Sequence, residues 1–470
     1  MSTMQKMTPE LIAKACNGKL FCAVEDRHLE ITGAVIDSRK VEYHNLFFAV
    51  RGEKTDGHNY IGQVYEKGAL LVVCEEAPKE KDTNKNYILV ENSLTALKQI
   101  AEYYRTCIQA TVIGITGSVG KTTTKEFIAA VLSQKYHVLK TEGNFNNEIG
   151  LPLTVLRIRK EHEVAVLEMG INHFGEMRRL SKIAKPDIVV ITNIGQCHLE
   201  FLETREGILK AKSEIFEFMN PLGTICLNGD DDCLATVQDV NQCKMMRFGL
   251  ENKHQVYAEQ IRQRGLLGSS ARIVTKEETF EVSIPLSGTH MVYNALAATA
   301  VGKALGLSHK EIADGIAQVK ALGGRNNIIQ TSKYIIIDDC YNANPVSMKA
   351  AIDLLSISDC RKVAILGDMG ELGENVTALH REIGYYLIQK EIDVAICVGE
   401  YAHDIYKAAI EKAKELKLAT KCYFYNEKEE MLLHLEENLQ TGDSILVKAS
   451  HFMEFDKIVE KLEETDFTNS

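Results

Sequence analysis

The sequence contains no apolar run long enough to cross a membrane. A transmembrane helix needs about 20 predominantly apolar residues, and no hydrophobic run in this 470-residue chain comes near that length. Residues 1–18, MSTMQKMTPELIAKACNG, also lack the apolar core of a secretory signal peptide. We therefore expect no membrane insertion and a cytoplasmic location.

Clusters of basic residues are missing as well. The formal net charge is -11, whereas nucleic-acid-binding domains usually carry a basic face. We therefore expect no nucleic-acid partner. A phosphate-bearing small molecule is not excluded by this charge, because the backbone N–H groups of one loop and helix N-terminus are enough to bind it.

The chain has 12 cysteines but no C-x-x-C pair. Most of them lie inside apolar runs such as LLVVCEE and VAICVGE. This placement is typical of small buried side chains in a reducing compartment, and it favours neither disulfides nor a cysteine metal site.

Proline is scarce, and no long linker, internal repeat or low-complexity segment interrupts the chain. Because 470 residues exceed one ordinary domain, we expect several domains that abut. Residues 1–108 combine short strands with turns, residues 109–325 alternate apolar strands with helices, and residues 326–470 begin that alternation afresh. The pattern predicts an α/β protein with a small mixed N-terminal domain, a central parallel-sheet domain and a Rossmann-like C-terminal domain.

Residues 114–122, GITGSVGKT, form a glycine-rich stretch between a predicted strand and a predicted helix. They end in Gly-Lys-Thr as phosphate loops of the pattern G-x-x-x-x-G-K-[ST] do, although five residues separate Gly114 from Gly120. In this context we expect ATP or GTP, with Lys121 at the terminal phosphates and Thr122 at a Mg²⁺ ion. The residues expected to bind the nucleotide are Gly117, Ser118, Val119, Gly120, Lys121, Thr122 and Thr123.

Two further side chains follow apolar strands and are candidates for the metal. Glu168 closes VAVLEMG, and His198 follows DIVVITNIG. Either residue alone is compatible with a purely structural role at a strand end. Together with Thr122 they predict a site for Mg²⁺ or Mn²⁺, because ligands bind beyond the carboxyl ends of parallel strands.

Three polar loops leave their roles open. EGNFNNEIG contains Asn144, Asn146 and Asn147, which could line a substrate site or close Asx turns. DDCYNANP contains Asp339 and Asn342, which could reach a ligand or shape the turn before a helix. GDMGELG, at the next strand end, has the same ambiguity.

Ten motifs spread over nearly the whole chain carry a resemblance to a known family. In chain order they are DSR (37–39), FFAVRGEKTDGH (47–58), GSVGKTTTKE (117–126), GNFNNEIGLPLT (143–154), EMGINHFGEM (168–177), TNIGQCHLEF (192–201), AKSEIF (211–216), YNALAATA (293–300), DDCYNANPVSM (338–348) and GDMGELG (367–373). In this order they resemble the Mur ligases, the ATP-dependent amide-forming enzymes of peptidoglycan synthesis.

The resemblance implies an ATP-dependent, C–N bond-forming ligase of three domains that uses Mg²⁺ or Mn²⁺ and acts through an acyl phosphate. The asparagine loop and YNANP are most similar to the branch that joins D-alanyl-D-alanine to UDP-N-acetylmuramoyl-tripeptide (UDP-MurNAc-tripeptide). We expect a monomer. A ligase of this family with another amine substrate, or a P-loop NTPase switch, is the alternative.

The resemblance also implies roles for individual residues. Ser38 and Arg39 would bind the UDP-sugar end of the substrate, and Lys212 would be a carbamylated lysine, although its helix pattern alone predicts a solvated one. Lys121, Lys212 and His198 would be catalytic. The remaining implied contacts are Asn294, Arg325 and Asp339 for ATP, and Asn144, Asn146, Asn147 and Asn342 for the substrate.

The chain departs from the family pattern in places. Met291 stands where asparagine is usual, and Ala449, Ser450 and His451 replace a Gly-Ser-Arg sequence. The second departure bears on the amine substrate, while the ATP motifs are intact.

Overall fold

The computed structural model describes residues 4–52, 55–78, 85–266 and 268–464. These residues form three β-sheets of five, nine and six strands, each built from a consecutive part of the chain and covered by helices. The predicted α/β class with three sheet-containing domains is confirmed. The domain limits 1–108, 109–325 and 326–470 stay a prediction.

The first sheet is small and mixed. Its strands are β1 (Lys19–Phe21), β2 (Ala34–Val35), β3 (Leu46–Phe48), β4 (Leu71–Cys74) and β5 (Tyr87–Leu89). They lie in the order β1-β5-β4-β3-β2, with only the β1–β5 pair antiparallel. The helices of this part are α1 (Pro9–Ala15), α2 (Ile61–Glu66) and α3 (Ser93–Cys107). The charged run APKEKDTNKN, residues 77–86, predicts a solvated loop, and its residues 79–84 lie outside the described ranges.

The second sheet carries the phosphate loop. Its strands are β6 (Thr111–Thr116), β7 (Val138–Lys140), β8 (Val164–Glu168), β9 (Ile188–Ile191), β10 (Thr224–Asn228), β11 (Lys244–Gly249), β12 (Val256–Gln263), β13 (Ser269–Thr275) and β14 (Thr279–Ile284). They lie in the order β14-β13-β12-β11-β10-β9-β6-β8-β7. The sheet is parallel from β7 to β12, and β13 and β14 extend it as an antiparallel ribbon.

The helices around this sheet cover both of its faces. They are α4 (Lys121–Leu132), α5 (Gly150–Val155), α6 (Glu176–Ala184), α7 (Leu199–Leu202), α8 (Arg205–Ser213), α9 (Asp232–Ala235), α10 (Thr289–Ala304) and α11 (His309–Ala317). Alternate residues of β6 enter two different cores, as the two-residue repeat of a strand requires. Val112 faces a cluster shared with the first sheet, while Ile113 and Ile115 face α4 and α10.

The third sheet repeats the alternation of strand and helix. Its strands are β15 (Asn327–Gln330), β16 (Ile335–Asp338), β17 (Lys362–Gly367), β18 (Val394–Val398), β19 (Lys421–Tyr425) and β20 (Ser444–Lys448), in the order β15-β16-β20-β17-β18-β19. Only β15 is antiparallel to its neighbour. The helices are α12 (Pro345–Ser356), α13 (Val376–Gln389), α14 (Ala402–Leu416), α15 (Lys428–Leu433), α16 (Leu435–Asn438) and α17 (Asp456–Glu464).

Membrane-spanning helices are absent from the described ranges. None of the helices found there combines the length and the apolar character that a bilayer crossing requires.

Candidate functional site

A cavity of about 850 Å³ lies between the second and third sheets. Its walls come from the ends of the parallel strands, with residues that follow β6, β8 and β9 on one side and residues that follow β16 on the other. Most of the predicted site residues open into this one cavity. They are Ser118, Val119, Gly120, Lys121, Thr122, Thr123, Asn144, Asn146, Asn147, Glu168, His198, Asn294, Arg325, Asp339 and Asn342.

Two glycines give the phosphate loop its shape. Gly117 has φ 148° and Gly120 has φ 82°, a region that residues with a side chain rarely adopt. A Cβ atom on Gly117 would lie 2.0 Å from Oγ1 of Thr192, so a larger residue has no space there. The chain turns at these glycines from β6 into α4, which begins at Lys121.

Asn193 anchors the phosphate loop from the neighbouring strand end. Its backbone carbonyl accepts the N–H of Ser118 at 3.0 Å, and its side-chain oxygen accepts the N–H of Val119 at 3.0 Å. These two amides therefore attach the loop to the end of the neighbouring strand β9, and the nucleotide contacts expected of Ser118 and Val119 stay a prediction. The N–H groups of Lys121, Thr122 and Thr123 are in the first turn of α4, where no carbonyl one turn earlier can accept them.

Glu168 ends β8 and is 1% exposed. Its Oε1 accepts hydrogen bonds from the hydroxyl of Thr122 at 3.1 Å and from the amide of Asn146 at 2.9 Å. Its Oε2 is buried and has no hydrogen-bond partner among the described residues, and the ammonium of Lys125 is 3.8 Å away. A buried carboxylate oxygen without a partner beside a threonine hydroxyl fits the oxygen ligands that Mg²⁺ prefers.

The asparagine loop, residues 142–150, contains three asparagines that line the cavity, one of which also has a structural role. Asn147 accepts the N–H groups of Ile149 and Gly150 and so closes an Asx turn just before α5. Asn146 holds Glu168, as described above. Asn144 is exposed at the cavity.

His198 joins the second and third sheets. It has φ 54° and precedes α7, and its Nδ1 lies 2.5 Å from Oε2 of Glu371, in the loop after β17. Nδ1 is buried, and this close contact to Glu371 does not have the geometry of an aligned hydrogen bond. The imidazole lowers the pKa of Glu371 below its ordinary value. In the same GDMGELG loop, Asp368 accepts the N–H of Ala402 at the start of α14 and is therefore structural.

Lys212 is buried in α8, with 1% of its surface exposed. Among the described residues, no side chain or carbonyl makes a hydrogen bond or ion pair with its Nζ. Burial lowers the pKa of the Lys212 ammonium to about 8, and the positive charge of Lys121 also lowers it. Lys212 is thus not the solvated lysine that the helix pattern alone predicts.

The third sheet supplies a cluster of polar groups to the cavity, centred on the buried Lys448. Asp339 accepts the N–H of Asn326 at 3.1 Å, and its other oxygen lies 2.5 Å from the ammonium of Lys448. Lys448 is 1% exposed and donates also to the carbonyl of Asn342. The guanidinium of Arg325 lies 3.9 Å from the ring centroid of Tyr341, a cation–π contact that sets its direction.

Family models match most of the chain. The Mur ligase catalytic domain matches residues 30–105, the Mur ligase middle domain residues 115–302, and the Mur ligase glutamate ligase domain residues 324–451. The chain belongs to the Mur ligase family. A UDP-N-acetylmuramoyl-tripeptide–D-alanyl-D-alanine ligase of Bacillus subtilis is 39% identical over 465 residues, which cover 98% of this chain and 99% of that protein.

Two solved structures are similar to this Mur ligase over almost their full length. A MurF structure from Acinetobacter baumannii has a TM-score of 0.87 and 34% identity, and covers 99% of this chain and 100% of its own. The MurF ligase of Thermotoga maritima in complex with ADP has a TM-score of 0.81 and 29% identity, and covers 93% and 98%.

Some residues predicted for this Mur ligase's site do not line the cavity. Ser38 and Arg39 lie on a short 3₁₀ helix of the first domain, where Arg39 pairs with Asp37 at 2.8 Å. That pairing holds the pKa of Asp37 at about 2. Gly117 and Lys212 do not line the cavity either. The roles of all the predicted site residues stay predictions.

Asn193, Lys125 and Lys448 are among the residues of the site that sequence reasoning missed. Asn193 could have been found from TNIG, which follows β9 directly as a polar strand end. Lys125 and Lys448 gave no signal, because lysines are almost never fully buried and their burial depends on distant parts of the chain.

Proposed function

We propose that this Mur ligase joins D-alanyl-D-alanine to UDP-MurNAc-tripeptide at the expense of ATP, as a step in peptidoglycan precursor synthesis. The observation that carries the proposal is one cavity that contains a phosphate loop, a buried carboxylate with a free oxygen and an asparagine-rich loop. Relatives that match 98% of this chain bear the name of that ligase. The cytoplasmic location and the monomeric state stay predictions.

ATP would lie along the cavity from α10 to the N-terminus of α4. Asn294, whose side-chain oxygen accepts the hydroxyl of Thr124 at 2.8 Å, marks the base end. The phosphates would meet the free N–H groups and the partial positive charge of α4. Lys121, which donates to the carbonyl of Gly117 at 2.9 Å, could turn from that carbonyl to the terminal phosphate.

Glu168, Thr122 and His198 would hold Mg²⁺ or Mn²⁺. The cation would neutralise negative charge on the phosphates of ATP. The chain's own part is to present the free Oε2 of Glu168, which Thr122 and Asn146 hold in place through its other oxygen.

The reaction proceeds in two steps. A carboxylate oxygen of the tripeptide attacks the γ-phosphorus of ATP, which releases ADP and gives an acyl phosphate. The neutral amine of D-alanyl-D-alanine then attacks the acyl carbon, phosphate leaves, and the amine loses a proton as the amide forms. Positioning and charge neutralisation by Lys121 and by the N-terminus of α4 would lower both barriers.

Lys212 would carry a carbamate in the working enzyme. Its neutral amine adds to the carbon of CO₂ and loses a proton, which replaces a cation by an anion. With a pKa of about 8, roughly a tenth of the amine is neutral at pH 7, far more than for an ordinary lysine. Burial of Lys212, together with the positive charge of Lys121, disfavours the ammonium form and so supports this modification.

We expect D-alanyl-D-alanine to be consumed faster than single amino acids such as D-glutamate or a diamino acid. His451, which stands where the family usually has arginine, stacks on Tyr341 of the cavity wall with ring centroids 5.4 Å apart, so this wall differs from the usual one. The measurement is phosphate release with UDP-MurNAc-tripeptide, ATP and each amine in turn.

Omitting the amine is the control for this panel, and phosphate release should then nearly stop. Faster turnover of another amine would overturn the dipeptide assignment. Equal phosphate release without any amine would favour an NTPase switch.

A further inference from the structure

One end of the cavity has the chemistry of a binding site for a flat heteroaromatic ring. The residues that line it, from β10, β11 and α10, are Asn228, Phe248, Tyr293, Asn294 and Ala297. The two aromatic rings and the small alanine side chain leave space for the flat face of a base to pack against them. The two asparagine amides can form hydrogen bonds with the edge of that base.

A polar network lies behind this wall and ends on Tyr293. The Tyr293 hydroxyl donates to Oδ2 of Asp230 at 3.0 Å. The same oxygen accepts the N–H of Leu250 at 2.6 Å, and Oδ1 of Asp230 lies 2.7 Å from Nε2 of His254. Neither Asp230 nor His254 lines the cavity, so within this network only Tyr293 reaches the ligand side.

His254 is fixed by close packing as well as by its hydrogen bond. The side chain is 3% exposed. A Cβ atom on Gly229 would lie 2.3 Å from its Cε1 atom, and one on Gly249 would lie 2.6 Å from its Cδ2 atom. Glycine at the ends of β10 and β11 therefore leaves the space that the imidazole occupies. The imidazole in turn holds the carboxylate of Asp230.

A cation site is the other use that this cluster could have, since Glu251 places a third ligand near Asp230 and His254. The geometry argues against it. Both oxygens of Asp230 already have partners, and Glu251 is exposed. The hydrogen bonds of the cluster point toward Tyr293 instead.

We propose that Asp230 and His254 are positioning residues for the nucleotide base, acting through Tyr293. This inference rests on the proposed function and names the residues that shape its base pocket. The charge-assisted bond from Tyr293 to Asp230 holds the phenol ring in one orientation along the wall. Because the Tyr293 ring is already held in place before ATP binds, binding does not have to pay the entropy cost of ordering it. The affinity for the base is therefore higher, while the contacts to the phosphates are unchanged.

Tyr293→Phe tests the inference because it keeps the ring and removes only the bond to Asp230. We expect ADP to bind about three- to tenfold more weakly by calorimetry, and KM for ATP to rise by a similar factor with kcat nearly unchanged. Asp230→Asn keeps the shape of the side chain but removes its charge, and should weaken ADP binding in the same direction.

Tyr136→Phe is the matched control. Its hydroxyl donates at 2.8 Å to the carbonyl of Leu305, just beyond the far end of α10, and it does not line the cavity. This variant should bind ADP as the wild type does.

Three outcomes would contradict the inference. Unchanged ADP binding in Tyr293→Phe would remove the role of the network, although the proposed function would stand. An equal loss in Tyr136→Phe would mean that looser packing of α10 is responsible. A wild-type protein that binds no ADP would overturn the proposed function, and this inference with it.

Discussion

Lys121→Ala should lower kcat by about two orders of magnitude or more while the protein stays folded. The side chain is half-buried at the cavity and donates a hydrogen bond to the carbonyl of Gly117. Its charge is needed most as the γ-phosphoryl group moves to the carboxylate, so the loss should appear in kcat rather than in stability. Steady-state rates and thermal melting of the variant check both parts.

Lys135→Ala is the matched control for Lys121→Ala. Lys135 follows α4, and its ammonium likewise donates to a glycine carbonyl, that of Gly306 at 3.0 Å. It does not line the cavity. Removing it should leave kcat unchanged. Near-normal turnover in Lys121→Ala would refute the phosphate-loop assignment.

Lys212→Ala should be almost inactive, and a small carboxylic acid such as acetate in the buffer should restore part of the rate. Truncation leaves a buried space where a carbamate would have stood, and a carboxylate of similar shape can occupy it. Removing bicarbonate and CO₂ should also lower the rate of the wild type reversibly. The measurements are rates with and without acetate and with and without added bicarbonate.

Lys210→Ala serves as the control for Lys212→Ala, because Lys210 lies on the same helix and is exposed. It should keep the wild-type rate. The carbamate is refuted if Lys212→Ala retains most of the activity. It is refuted as well if the wild-type lysine in a crystal grown with Mg²⁺ ends in a bare amine.

The fold could be predicted wherever a long apolar or amphipathic pattern decides the element. The amphipathic run SLTALKQIAEYYRTC predicts one helix and is α3. The apolar runs YIIIDD, KVAILGD, VAICVG, CYFY and SILVKAS predict five strands and are β16 to β20. The short edge strand β15 was missed. Its residues are only half-buried, so its four-residue run carries little apolar pattern, and its pairing with β16 supplies the structure.

The candidate site could be predicted where strand ends carry polar residues, because the topology of a parallel sheet brings those ends together. Glu168 and His198 were found in this way. The partner of His198 was not, since Glu371 is far away in sequence and the contact forms only when the second and third sheets meet. Burial of Lys448 beside Asp339 likewise depends on the neighbouring strands β16 and β20.

The phosphate loop illustrates the limit of a motif. The pattern located the loop and placed Ser118 and Val119 among the residues expected to bind the nucleotide, which stays a prediction. The structure uses both amides to attach the loop to Asn193. A sequence pattern cannot distinguish these two uses, because the competing acceptor lies on another strand.

The path of one carboxylate oxygen tests the central claim most directly. UDP-MurNAc-tripeptide labelled with ¹⁸O in its carboxyl groups is incubated with ATP, D-alanyl-D-alanine and the wild-type protein. The ¹⁸O content of the released phosphate is then measured by mass spectrometry. An acyl phosphate predicts that each phosphate carries one ¹⁸O atom, because the attacking oxygen leaves with it when the amide forms. Phosphate without the label, its new oxygen taken from water, would mean that ATP is simply hydrolysed and would contradict the ligase assignment.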